Sequence, residues 1–135
     1  MDSKIIEIFI PGPAGRLEAK YYKSKKNTSP IALILHPHPQ YGGTMNNKVV
    51  VDIFHAFMDN DFSVCRINFR GVCKSDGDFD NGQGELADAA AALDWLEREN
   101  FDNYSQKKYI IDNFSQKKNI FTTCKWHFSN FFYFN

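Results

Sequence analysis

Cysteine is scarce in this chain, and its three copies, Cys65, Cys73 and Cys124, are odd in number, widely spaced and never in a C-x-x-C pair. That pattern argues against a disulfide framework or a zinc knuckle and fits a reducing compartment, so the expected location is cytoplasmic. Excess charge is also missing. Sixteen basic and sixteen acidic residues give a formal net charge of zero, which removes the electrostatic case for nucleic acid or an anionic membrane as partner. The first residues, Met1-Asp2-Ser3-Lys4-Ile5-Ile6-Glu7, lack the apolar core of a signal peptide. No apolar run reaches the roughly 18 residues of a spanning helix. Glycine stops early: none follows Gly84, and no Gly-x-Ser-x-Gly element occurs anywhere.

What is present is an ordinary globular composition, 43% hydrophobic and 24% charged over 135 residues, enough for one domain with a real core. Residues 4–10 and 17–22 are apolar-rich runs around Pro11-Gly12-Pro13-Ala14-Gly15, which predicts an antiparallel strand pair. Ile31 to Leu35 is a short continuous apolar run, as in a strand covered on both faces. Residues 45–59 predict a helix, with Val50, Ile53, Phe54, Phe57 and Met58 on one face. Phe62 to Phe69 predicts a further strand. Gly71 to Gly84 reads as a polar loop, and residues 85–98 as a second helix with Leu86, Ala89, Leu93 and Leu96 on one side. The last four elements make a βαβα unit, which implies a right-handed crossover and parallel strands.

Beyond residue 100 the character changes. Asp102-Asn103-Tyr104-Ser105-Gln106-Lys107-Lys108-Tyr109-Ile110 is nearly repeated as Asp112-Asn113-Phe114-Ser115-Gln116-Lys117-Lys118-Asn119-Ile120. One duplication is too short for a solenoid. The last fifteen residues hold seven aromatics without a clean period: Phe121, Trp126, Phe128, Phe131, Phe132, Tyr133 and Phe134. The chain therefore divides into residues 1–100, a folded unit, and 101–135, a duplicated linker and aromatic tail with no fold assigned, read as frameshifted or disordered sequence.

Three segments carry a resemblance. They are Leu35-His36-Pro37-His38-Pro39 with Tyr41-Gly42-Gly43-Thr44-Met45-Asn46-Asn47-Lys48; Asn68-Phe69-Arg70-Gly71-Val72 with Ser75-Asp76-Gly77; and Phe79-Asp80-Asn81-Gly82 with Gly84-Glu85 and Asp88. In order and spacing, residues 31–99 resemble the N-terminal half of the α/β-hydrolase superfamily, nearest its dienelactone hydrolase and short-chain esterase branch. The resemblance implies an α/β fold, a truncated α/β-hydrolase sheet made of the strand pair plus the βαβα unit and stopping before the fifth conserved strand.

It also implies a role for the first loop, which in this superfamily gives a backbone N–H to the oxyanion of the acyl intermediate. Pro37 and Pro39 have no N–H. His38 is the leading candidate, followed by Gln40, Tyr41 and Gly42. Arg70, Gly71 and Ser75 belong to the loop that shapes the floor of the site in relatives. Cys73 stands where relatives usually have glycine, a costly exchange if the position needs positive φ. The serines after residue 100, Ser105, Ser115 and Ser129, have no flanking glycine, so nucleophile, acid and base are all missing from the pattern. The expectation is a serine acyl hydrolase remnant, inactive alone, whose intact relatives would cleave a small ester without a cofactor. The alternative is a non-catalytic subunit or binding module completed by a partner chain that carries the C-terminal half.

Blander readings hold elsewhere. His36-x-His38 lacks a third metal ligand, so no metal is expected there. Asp76 to Gly82 fails the calcium-loop template, with Asn81 and Ala87 where Gly and Glu are needed. Cys124 and His127 are close in sequence, which is no evidence for a catalytic dyad. Cys65 reads as core, and His55 as a helix-flank residue.

Overall fold

In the computed structural model, residues 4–26 and 28–100 are described in full, and residues 108–112, 119–122, 126–128 and 132–134 as strand backbone. The two leading apolar runs form β1 (Ile5–Gly12) and β2 (Gly15–Tyr22), joined by a two-residue turn at Pro13-Ala14. β3 (Ile31–Leu35) is buried along its whole length. It leads through a short 3-10 turn (Pro39–Tyr41) to α1 (Lys48–Asp59), and then come β4 (Ser63–Ile67) and α2 (Gln83–Glu99). The strand pair and βαβα unit are thus as the sequence predicts. α1 starts three residues later than its apolar spacing suggests, because the Asn47 side chain caps it by accepting the Val49 N–H at 2.9 Å.

The sheet runs further than the sequence reading took it. β5 (Lys108–Asp112) lies parallel to β3 on the side away from β4, and β6 (Asn119–Thr122) returns antiparallel to β5. The strand order is β1-β2-β4-β3-β5-β6. Without β5, the fully apolar β3 would present an unpaired backbone edge in mid-sheet. Each copy of the duplicated segment supplies one strand of this added pair. β7 (Trp126–Phe128) and β8 (Phe132–Phe134) form a separate two-stranded pair.

Helices cover both faces. On one, Val50 and Phe54 of α1 are buried with Ala32, Ile34 and Val64. On the other, Leu86, Ala89, Ala92 and Leu96 of α2 pack with Leu33, Leu35, Cys65, Ile67 and Phe69. Cys65 is core, as expected, and burial pushes its thiol up to about 12. Among the described residues, no helix is long and apolar enough to cross a membrane.

One side chain anchors the start of α2. The buried Glu85 carboxylate accepts the N–H groups of Asp80 and Gly82. Cys73, in the loop before it, has φ +48°, the left-handed region that favours glycine. Cys73→Gly is therefore expected to stabilise the fold by about 0.5–1 kcal/mol, read as a higher urea midpoint with an unchanged slope.

Candidate functional site

β3 and β4 are parallel neighbours, so their carboxyl ends deliver two loops to one edge of the sheet, where ligands bind in open α/β sheets. His36 joins the two loops. Its imidazole is fully buried. Nε2 accepts the Phe69 N–H at 3.1 Å, and Nδ1 lies 2.6 Å from the Pro37 carbonyl oxygen. An accepting Nε2 requires the proton on Nδ1, which donates to Pro37. The ring is thus a neutral clamp between the end of β4 and the turn after β3. Burial lowers its pKa to about 4.

Asn68 makes a second clamp. Its Oδ1 accepts the Met45 N–H at 2.8 Å, and its Nδ2 donates to Glu18 Oε2 at 2.9 Å. The same carboxylate oxygen accepts the Lys74 N–H. Neither clamp is readable from composition. Asn68 and His36 fall within the segments that carry the resemblance, but nothing in those segments shows which groups the two side chains bond.

The loop between the clamps is closed on itself. The Gln40 N–H donates to His38 Nδ1 at 3.2 Å, and the Tyr41 and Gly43 N–H groups donate to the His38 carbonyl at 3.1 and 3.2 Å. The Gly42 N–H donates to the Pro39 carbonyl. Gly43 packs so tightly on this turn that a Cβ would fall 2.0 Å from the Pro37 oxygen. The His38 ring lies tilted between Tyr41 and Phe79, with centroids 5.0 and 5.2 Å away. Of the four oxyanion candidates, Gln40, Tyr41 and Gly42 have their N–H groups engaged within the turn, and His38 takes part in it through its ring and its carbonyl.

The floor loop is held as firmly. Arg70 lies across α2, its Nε and Nη2 bonded to Asp88 at 3.1 and 2.9 Å, and its backbone N–H also donates to Asp88. These bonds raise the arginine pKa. The guanidinium lies flat against Gly84, where a Cβ would come within 2.3 Å of Nη1. Gly71 has φ +74°, and a Cβ there would sit 3.1 and 3.2 Å from the backbone of Gly77 and Asp78, a tight fit in a conformation that favours glycine. The Ser75 hydroxyl donates to the Asn68 carbonyl at 2.7 Å and accepts the Glu18 N–H at 2.9 Å, so Ser75 ties the floor loop to β2 and β4.

Ser24, Ser29 and Ser63 are linked to one another at the opposite, amino ends of the strands. His55 lies half-buried along α1, its Nδ1 3.0 Å from the Val51 carbonyl. Asp76 bonds Arg16 rather than joining an ion cage. Among the described residues, no group of three His, Cys, Asp or Glu is placed to hold a metal ion. Cys124 lies outside the described residues, and only the backbone of His127 lies within them.

Known proteins with this arrangement are hydrolases in fold. A family model described as X-Pro dipeptidyl-peptidase (S15 family) matches residues 12–116. An uncharacterized protein of Rickettsia prowazekii is 55% identical over 94 residues, which make up 70% of this chain and 40% of that one. The solved structure of a candidate α/β hydrolase of unknown function from Agrobacterium tumefaciens is 47% identical, with a TM-score of 0.75, over 82% of this chain and 51% of that one. That of an α/β serine hydrolase homologue from Coxiella burnetii is 38% identical, with a TM-score of 0.71, over 78% of this chain and 50% of that one. The chain thus spans about half the length of the solved relatives it matches.

Proposed function

Because the chain belongs to the X-Pro dipeptidyl-peptidase (S15) family of α/β hydrolases, we propose that its two clamped loops form the oxyanion side of a serine acyl hydrolase site. The observation that supports this reading most is the turn His36–Gly43 at the carboxyl edge of β3, closed by its own hydrogen bonds. Donors held in place beforehand stabilise developing charge without reorganisation. In this reading the His38 N–H faces the oxyanion, His36 and Asn68 hold the loop, and the floor loop of Arg70, Gly71 and Ser75 borders the acyl group. The substrate class is a small ester or related acyl compound, and the compartment is the cytoplasm.

The proposal assigns no turnover to these 135 residues alone, because none of their serines stands in a Gly-x-Ser-x-Gly setting. Purified chain treated with a fluorophosphonate probe is expected to stay unlabelled, and to hydrolyse p-nitrophenyl acetate no faster than a heat-denatured control. Stoichiometric labelling of one serine would overturn that part of the reading.

A second reading, favoured by the half-length match, makes the chain a subunit completed by a separate polypeptide that supplies nucleophile, acid and base. Co-purification with such a polypeptide, and probe labelling of the complex on that partner, is the result it expects.

A further inference from the structure

Among the described residues, the most exposed large apolar side chain is that of Tyr41, at 81%, against 39–54% for Ile5, Ile6, Phe9 and Val49. It stands in the turn after β3, its ring tilted against that of His38. His38 in turn meets Phe79. Two loops thus bring three rings together: His38 and Tyr41 come from the loop after β3, and Phe79 from the loop after β4. His38 and Phe79 are half-buried, whereas Tyr41 is left almost bare. A tyrosine that buries so little of itself adds little to the fold. Its backbone is nonetheless held, because its N–H donates to the His38 carbonyl and the next N–H, of Gly42, donates to Pro39. An open aromatic face is therefore presented at the edge of the sheet where ligands bind.

Such a face suits one shape of ligand. It encloses no alkyl chain, so a flexible chain laid on it gains contact on one side only. A planar ring gains more, because offset and edge-to-face contacts between aromatic groups are favourable beyond the area they cover. Charge narrows the choice further. Phe79 is flanked by Asp78 and Asp80, both exposed, so a ring with a carboxylate of its own is repelled.

We propose that His38, Tyr41 and Phe79 form an aryl subsite, and that the acyl group of the substrate carries an uncharged aromatic ring a short link away from the ester carbonyl. The inference rests on the oxyanion reading above, in which the His38 N–H faces the carbonyl oxygen. The ring of that same residue belongs to the subsite, which is why the link is short. Tyr41 acts here on specificity: it touches the aromatic group and takes no part in bond breaking.

Methyl phenylacetate and its saturated counterpart, methyl cyclohexylacetate, are the probes, each titrated into the intact, isotope-labelled 135-residue chain. The amide signals of His38, Tyr41 and Phe79 are expected to shift, and the phenyl ester to bind about two- to tenfold more tightly than the cyclohexyl ester. Tyr41→Phe is expected to keep that preference and Tyr41→Leu to lose most of it, each melting where wild type does, since the side chain is exposed. A carboxylate on the far side of the phenyl ring is expected to weaken binding. Equal affinity of the two esters, with these amides shifting, overturns the aryl subsite and leaves the oxyanion reading standing. If neither ester shifts them, both readings fall. Full preference retained by Tyr41→Leu removes Tyr41 from the subsite, and tighter binding of the carboxylated ring overturns the uncharged substrate.

Discussion

Replacing Asp88 with alanine is expected to destabilise the chain by about 3–5 kcal/mol, a large share of a small domain's stability. The carboxylate is fully buried, and the Arg70 side chain is 12% exposed. Removing Asp88 leaves three donors without acceptors, two on the guanidinium and one on the Arg70 backbone. The guanidinium cannot swing aside freely, since it is pressed flat on Gly84. Urea unfolding of Asp88→Ala checks the loss. The double variant Arg70→Met, Asp88→Leu is expected to recover most of it, because the cost lies in the abandoned charge rather than in the absence of the pair. A double variant as weak as the single one would place the cost in packing.

Acidification is expected to loosen the loop after β3 through His36. Its folded pKa of about 4 lies below the ordinary histidine value of 6.5, so the unfolded chain takes up a proton that the folded chain refuses. The clamp's contribution is fully present above pH 6.5 and is lost as the pH falls towards 4. The linked loss is about 3 kcal/mol over that window. Protonation turns Nε2 from acceptor to donor, facing the Phe69 N–H it now receives. Stability measured by urea titration from pH 7.5 to 4.5 checks this against His36→Gln, which is expected to be weaker at pH 7.5 and flatter below 6.5. Parallel curves would remove His36 from the account.

Local order was legible where local chemistry decides it. The apolar spacing of Val50, Ile53, Phe54, Phe57 and Met58 marks α1 without reference to anything distant, and the Pro-Gly turn marks the first hairpin. β5 was not legible. Its apolar content is Tyr109, Ile110 and Ile111 inside a polar repeat, and it is a strand because β3 needs a neighbour nearly eighty residues away in sequence. The same holds at the site. The motifs carrying His36, Asn68, Arg70 and Asp88 could be picked out, but not that His36 meets Phe69 or that Arg70 meets Asp88, since these are contacts between loops.

The paired strands of the duplicated segment bear on how the chain reaches its native state. The berth beside β3 is offered two related segments ten residues apart, Tyr109-Ile110-Ile111-Asp112 and Asn119-Ile120-Phe121-Thr122, which share an isoleucine at the same place. Because ten is even, either would turn the same alternation of side chains to each side of the sheet. A refolding chain faces a choice that a single-copy chain would not. Only the first copy in the berth leaves the second free to lie beside it as β6. The reverse arrangement strands the first copy in the connection from α2, a trapped register that must come apart before the native ladder can close.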